Sequence, residues 1–121
     1  MRTAVIILGH GSKDSKAGDT VRKLAAEVKR LGTYGVVEHA FLQHTAPSPQ
    51  DALESCFKHK VERIVIVPLF MQEGAHVSRD IPALAEKAKK QFPEIDIVVT
   101  GYAGSHPLMA KIVVDLVGGK K

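Results

Sequence analysis

The chain has 121 residues, of which 45% are hydrophobic and 25% charged, with a formal net charge of +4. This length and composition predict one globular domain spanning residues 1–121 and exclude a disordered chain. The longest nearly unbroken apolar stretch, Ile64 to Met71, is far shorter than the ~18 residues of a bilayer-spanning helix, and the first residues do not resemble a signal peptide, so we expect a cytoplasmic protein with no membrane partner.

Four short apolar runs predict strands, and longer amphipathic stretches separate them. The runs are Ala4 to Leu8, Val36 to Leu42, Ile64 to Phe70 and Ile95 to Thr100. The third run is the most apolar and is expected at the centre of the sheet. Strands that alternate with helices predict an α/β fold with three layers, in which helices cover both faces of a parallel, about four-stranded sheet.

The helices are predicted from apolar stripes and terminal residues. The first carries a stripe from Val21 to Leu31, and the second opens at Ser48 with a proline in its first position. Asp80 is expected to cap the third helix, with Pro82 in its first turn. The last helix is expected to open at residues 105–107 and to bury one stripe of apolar residues, which comprises Leu108, Met109, Ile112, Val113 and Leu116.

Cysteine content and charge restrict the chemistry further. Cys56 is the only cysteine, which excludes an internal disulfide and a Cys-rich metal site, so any metal ligands must be imidazole or carboxylate. The positive charge favours an anionic partner. With two tyrosines, four phenylalanines and no tryptophan, the chain offers no series of aromatic residues on which bases could stack, and we expect no nucleic-acid partner.

Two histidines follow predicted strands at the edge where such sheets bind ligands. His10 stands between Gly9 and Gly11 directly after the first strand, and His76 lies a few residues beyond the third. If these strands are neighbours, both histidines can face one cleft. Neutral imidazole binds divalent Co, Ni, Fe and Zn, and two imidazoles without a third strong ligand would hold such an ion transiently.

Other polar side chains near this edge could either assist the two histidines or be structural. His44 and His106 could reach the cleft and Glu73 could assist there, although solvation at the surface is the more ordinary role for such residues. His39 shares a strand face with apolar neighbours and is expected to be half-buried, whereas Cys56 is expected to be a small core residue.

Four segments together resemble a known family. They are VIILGHGS at 5–12, FLQHTAPSP at 41–49, VPLFMQEGAHVSRDIP at 67–82 and GSHPL at 104–108, and they resemble the short form of the sirohydrochlorin chelatases, which are class II tetrapyrrole chelatases. The resemblance implies a chelatase-like fold and a lyase that inserts Co, Ni or Fe into sirohydrochlorin for cobalamin, sirohaem or a nickel tetrapyrrole. It also implies a homodimer, because longer members contain two fused copies of such a domain.

The resemblance assigns residues as well. The two catalytic, metal-binding histidines of the family fall on His10 and His76, and the metal is a substrate, so no tightly bound cofactor is expected. Where the family often has an acidic residue near the end of the second strand, this chain has Gln43 followed by His44. The residues expected to bind the tetrapyrrole are Gly9, Gly11, Ser12, Lys13, Gln43, His44, Gly74, Ala75 and Arg79.

Two other classes of function remain open at this stage. One is phosphoryl transfer with His10 as the nucleophile, but histidine phosphatases typically have an arginine before that histidine, and here the residue is Gly9. The other is a non-catalytic carrier of divalent metal ions. A carrier has no reason to bind a tetrapyrrole, so ring binding would discriminate between a carrier and a chelatase.

Overall fold

The structure, a computed structural model, describes residues 2–14, 16 and 18–119, with the side chains of residues 75–77 outside the description. Strands and helices alternate in the order predicted from the sequence. The elements are β1 (Thr3–Gly9), α1 (Asp19–Arg30), β2 (Val36–Phe41), α2 (Pro49–Lys58), β3 (Arg63–Pro68), α3 (Ala75–Gln91), β4 (Asp96–Val99), a 3₁₀ turn (Ala103–Ser105) and α4 (Leu108–Val117).

The four strands form one parallel sheet in the order β2-β1-β3-β4. The inner strands are therefore β1 and β3. This order confirms that the third strand is central and that it lies next to the first. In the register, Val5 of β1 lies beside Val37 of β2 and Val65 of β3. The loops that leave the carboxyl ends of β1 and β3, where such sheets bind ligands, thus begin side by side.

Alternate residues of the strands supply two apolar layers. On one face, Leu8 and Ile64 belong to a core that includes Leu53 of α2 and Ile81 of α3. On the other face, a smaller cluster joins Val5, Ile7 and Phe41 to Val21 and Ala25 of α1. Helices on both faces of a parallel sheet confirm the three-layer αβα architecture.

The start of α3 differs from the prediction. The helix begins at Ala75, after Gly74 as its N-cap, and Pro82 lies inside the helix rather than in its first turn. Proline is common in a first turn because its missing N–H would have no partner there, and the sequence prediction relied on that preference. The Ser78 N–H donates to the Gly74 carbonyl, so the helix is already formed one turn before Asp80.

The environment of α4 also differs from the prediction. Its expected buried stripe is not buried: Leu108, Ile112, Val113 and Leu116 are all exposed, and Met109 is half-buried. Leu31, the last residue of the stripe predicted for α1, is likewise exposed because it lies beyond the end of the helix. The apolar stripe of α4 was identified correctly, but no described part of the chain covers it.

Candidate functional site

The loops after β1 and β2 are held together at the carboxyl edge of the sheet. The backbone N–H of Leu42 donates to the Gly9 carbonyl (3.0 Å), and that of Gln43 donates to the His10 carbonyl (3.2 Å). Thr45 adds a side-chain bond, from its Oγ1 to the Ser12 carbonyl (2.8 Å). His10 therefore starts from a backbone that is fixed on both sides, while its side chain is exposed.

Glycine is required next to His10 for a conformational and a steric reason. Gly11 has φ of +95°, and a Cβ atom there would overlap the Gln43 carbonyl. A residue with a side chain could adopt this backbone only with strain, and it would also push the two loops apart. The glycines that frame His10 in the sequence thus bring two loops into direct contact.

A cavity of about 570 Å³ opens beside His10. Most of its wall is apolar, and the imidazole stands against it, edge to face with the Phe70 ring at 5.6 Å between centroids and an interplanar angle of 80°. The lining residues are Gly9, His10, Gly11, Ser12, Thr20, Val21, Leu24, Phe41, Leu69, Phe70, Met71 and Ala103. A flat apolar ligand could pack on this wall with the nitrogen atoms of His10 at its rim.

His76 lies in the first turn of α3, which follows the loop that leaves β3. The helix start predicted at Asp80 left His76 in the preceding loop, so its position on the helix is a correction. Leu69 follows β3 directly, and its N–H donates to the Leu8 carbonyl (2.8 Å). The chain segment that leads to His76 therefore starts next to the segment that carries His10. The side chains of Ala75 and His76 are outside the described part of the structure, and their contacts stay predictions.

The remaining predicted site residues lie at the same edge of the sheet but around the cavity rather than in it. Lys13, Gln43, His44 and Arg79 are exposed, and neither they nor Gly74 belong to the described lining residues. Of the predicted residues, Gly9, His10, Gly11 and Ser12 line the cavity. The structure thus brings the β1 loop into the site, whereas the charged Lys13 and Arg79 do not belong to its described lining.

Three further titratable residues have other surroundings. Glu73 lines a separate cavity of about 160 Å³, together with Ser78 and Tyr102. The Nδ1 atom of His106 accepts the Leu108 N–H (3.1 Å), which occupies that nitrogen at the start of α4. His39 is half-buried, and burial, aided by the Arg22 cation, lowers its pKa against the opposing effect of Glu38.

The described side chains include no cluster of three or more His, Cys, Asp or Glu residues. Such a cluster would be needed for a closed structural metal site. His10 can contribute one imidazole, and the side chain of His76, the second ligand predicted from the sequence, lies outside the described part of the structure.

Sequence reasoning did not identify the apolar wall. Leu24 was assigned to a helix stripe, and Leu69 and Phe70 were assigned to β3, which ends at Pro68. The available signal was the position of Phe70 and Met71, two large apolar residues immediately before a polar loop. Arg22 was also missed. Its Cζ lies 5.5 Å from the centroid of the Phe41 ring, which lines the cavity.

Solved structures share this architecture. A protein from Marinobacter aquaeolei described as a cobalamin biosynthesis CbiX protein is 25% identical, with a TM-score of 0.86 over 98% of this chain and 96% of its own. The sirohydrochlorin chelatase SirB from Bacillus subtilis subspecies spizizenii, solved with cobalt, is 28% identical, with a TM-score of 0.87 over 98% of this chain and 51% of its own. The fold is therefore that of the chelatase-like αβα proteins.

Comparison with protein families gives the narrower assignment. The CbiX family model matches residues 4–118, and the chain belongs to the CbiX family, which confirms the resemblance found in the sequence motifs. Among curated relatives, the chloroplastic sirohydrochlorin ferrochelatase of Arabidopsis thaliana is 32% identical over 111 residues, covering 92% of this chain and 49% of that protein.

The match covers only part of several relatives. The chain spans between 36% and 57% of the length of the Arabidopsis ferrochelatase and of two cobaltochelatases, from Methanopyrus kandleri and Priestia megaterium. Within residues 2–14, 16 and 18–119, no helix has both the length and the apolarity of a membrane span.

Proposed function

We propose that the protein is a metal chelatase that inserts a divalent ion into sirohydrochlorin, with His10 and His76 as the catalytic, metal-binding residues. The observation that carries the proposal is the exposed imidazole of His10 at the rim of an apolar cavity of about 570 Å³, on the carboxyl edge of an inner strand. An apolar wall suits the face of a macrocycle, and an imidazole at its rim suits the entering ion.

The chemistry requires few protein ligands. Insertion requires the ion to lose its waters stepwise and two pyrrole protons to be removed. Two imidazoles can hold the ion by one side while the other side stays open to the ring, whereas a third or fourth strong ligand would slow its release. Gln43, where the family often has an acidic residue, keeps the ligand set neutral at the loop that contacts His10.

We expect the substrate to contact the backbone of the β1 loop and to be attracted by charged side chains. Gly9, Gly11 and Ser12 line the cavity and allow the ring to approach the backbone closely. Exposed Lys13 and Arg79 at its periphery attract the carboxylates of the tetrapyrrole, and Gln43, His44, Gly74 and Ala75 complete the substrate site. The named relatives are ferrochelatases and cobaltochelatases, so we propose iron or cobalt as the ion, with nickel as a further candidate.

The proposal extends to assembly and location. Residues 1–121 form one chelatase-like domain, and a homodimer encloses the ring, because a single open cavity leaves one face of a large planar ligand uncovered while small-molecule sites bury ~70–90% of their ligand. The metal acts as a substrate, with no tightly bound cofactor. We propose the cytoplasm as the location, where the single buried thiol of Cys56 would stay reduced.

The experiment is anaerobic incubation of the protein with sirohydrochlorin and Co²⁺, Ni²⁺ or Fe²⁺ separately, followed by absorption spectroscopy of the tetrapyrrole. The H10A variant should lose most of the rate, whereas H59A should keep it, because His59 lies at the end of α2 and its Nδ1 bonds to the Ser55 carbonyl. Ring binding without insertion of any ion would indicate a different reaction, and binding of ions without the ring would indicate a carrier.

The salt dependence of substrate affinity tests the charged residues. Attraction by Lys13 and Arg79 should weaken as the screening length falls to ~8 Å at physiological ionic strength. A substrate affinity that is the same at low and high salt would assign both side chains to the solvated surface only.

A further inference from the structure

The exposed imidazole of His10 is in contact with an aromatic ring that follows the end of β3. The centroids of the His10 and Phe70 rings are 5.6 Å apart, and their planes cross at 80°. Both values are typical of a favourable edge-to-face pair. Within the part of the chain that the structure describes, no group forms a hydrogen bond with this imidazole. The Phe70 ring is therefore the described group that can restrict its rotation.

A restricted ring matters for a metal ligand. A histidine that binds an ion must direct one ring nitrogen at it, and a hydrogen bond to the second nitrogen usually fixes that direction. The backbone of His10 is held, since its carbonyl accepts the Gln43 N–H (3.2 Å), but a held backbone leaves the side-chain torsions free to change rotamer. An aromatic pair favours one arrangement of the ring over the others by about two- to tenfold.

Phe70 is itself held from two directions. The Leu69 N–H donates to the Leu8 carbonyl of β1 (2.8 Å), and the Phe70 carbonyl accepts the Gly104 N–H (2.8 Å). Gly104 lies in the 3₁₀ turn after β4, and a Cβ atom on it would overlap the Met71 backbone. The turn can approach the β3 loop this closely because residue 104 is glycine. The half-buried Phe70 ring also packs against the larger core.

We infer that Phe70 is a positioning residue for His10, and that Gly104 holds Phe70 in place. The GSHPL segment at 104–108, which contains this glycine, then has a role at the site: it fixes the ring that orients the imidazole. Phe70 contacts the histidine, so it acts on an ion through His10. The inference rests on the proposed function for the role of His10 as a metal ligand, whereas the contact between the two rings does not depend on that role.

The mobility of the His10 ring tests the contact without any substrate. NMR relaxation of the ring C–H groups is measured on protein labelled in its histidines, and the His10 signals are those that H10A lacks. We expect one ordered rotamer in the parent protein and several in F70L, since leucine is apolar but has no ring. F57L is the matched control, because Phe57 pairs with Phe92 (5.1 Å) and does not belong to the described cavity lining. A His10 ring as ordered in F70L as in the parent would overturn the inference.

Titration with Co²⁺ in the absence of a tetrapyrrole tests the consequence for the ion. A side chain that is correctly oriented for only a fraction of the time binds with an affinity reduced by that fraction. F70L should therefore raise the Kd for Co²⁺ about two- to tenfold. F70Y should restore the affinity, because tyrosine retains the ring, and F57L should not change it.

The chelation assay separates positioning from a contact with the substrate ring. F70L should raise the KM for the metal and leave kcat at saturating metal nearly unchanged, because excess ion compensates for weaker binding. A lower kcat with unchanged Co²⁺ affinity would show that Phe70 contacts the tetrapyrrole instead of orienting His10, and it would overturn the inference.

A pair of glycine variants tests how Phe70 is held. G104A should loosen the His10 ring as F70L does, because the added methyl group would overlap the Met71 backbone. G101A is its control, since a Cβ atom on Gly101 would come no closer than 3.4 Å to its nearest neighbour, the Ser105 hydroxyl. A G104A protein that is folded by circular dichroism and keeps the His10 ring ordered would show that Gly104 does not act through Phe70.

Two outcomes separate this inference from the proposed function. A His10 ring that is ordered in the parent and loosened in F70L, in a protein that inserts no metal, supports the role of Phe70 and defeats the chelatase proposal. Chelation by a protein whose His10 ring is equally ordered with and without Phe70 retains the proposed function and overturns the inference.

Discussion

A glycine-to-alanine series separates two reasons why Gly11 is needed. Gly11 combines a positive φ with contact to the Gln43 carbonyl, whereas Gly32 has φ of +81° and its nearest neighbour, the Arg30 carbonyl, at 4.0 Å. A methyl group on Gly35 would meet no heavy atom within 4 Å, and the φ of this residue is not positive. The three positions therefore differ stepwise in conformation and in contact.

The expected magnitudes follow from these differences. G32A should lower the free energy of unfolding by about 1–2 kcal/mol, the cost of a left-handed conformation for alanine. G11A carries the same cost and also separates the loops, which weakens the Gln43–His10 and Thr45–Ser12 hydrogen bonds at about 0.5–1.5 kcal/mol each. The expected total is about 2–5 kcal/mol. G35A should be neutral or slightly stabilising, by up to about 1 kcal/mol.

Urea unfolding of the three variants, with chelation measured in parallel, tests this reasoning. Only G11A should also reduce the rate of metal insertion, since it displaces the backbone that carries His10. If G11A and G32A lose the same stability and G11A keeps full activity, the contact between the β1 and β2 loops does not position His10, and our account of the site is wrong.

The other predictions concern titratable and nucleophilic side chains. H10A and H76A should each abolish most chelation while costing less stability than the ~2–5 kcal/mol of a core truncation, as measured by chelation rate and urea unfolding; a core-sized loss would show that these histidines are structural. Because burial lowers the pKa of His39 in the folded state, the unfolded chain binds the proton more readily, so stability should fall as pH drops below the ordinary histidine value of ~6.5. H39Q should reduce that fall in pH-dependent urea unfolding, and an unchanged profile would contradict the assignment to His39. Burial, with the Glu38 carboxylate adding to it, raises the pKa of Cys56 to about 12, so a thiol reagent should modify it only in urea; rapid labelling of the folded protein would contradict its place in the core.

The architecture could be predicted because its signals are local. The β-branched runs of β1 and β3, and the capping Ser48 with its following proline, specify strands and a helix start within a few residues. The structure bears out the cap in detail, since Ser48 and Asp51 form a reciprocal capping box. Strand order could be narrowed by the apolarity of the third run, because an inner parallel strand is covered on both faces.

The parts that could not be predicted depend on contacts distant in sequence. Pro82 gave a local signal for a helix start, but the helix begins at Ala75, after Gly74 as its N-cap. The stripe of α4 was recognised as apolar, and its burial was assumed, although a periodic pattern says that a face needs cover and not which surface provides it. The apolar wall beside His10 likewise arises from Leu24 and Phe70, which are far apart in sequence and meet only in the fold.

The two candidate metal ligands are supported in different ways, and this bears on how an ion could be released. The loop of His10 is fastened to the β2 loop through backbone hydrogen bonds, whereas His76 belongs to the first turn of a 17-residue helix. The roots of both segments adjoin, since Leu69 bonds to Leu8 across the inner strands, but they continue in separate elements. Two ligands on elements that touch only where they leave the sheet could bind an ion with little rearrangement of either element. Nothing in the described part of the site closes around such an ion. If His10 and His76 bind the ion as proposed, two ligands on separate elements favour transfer of the metal over storage.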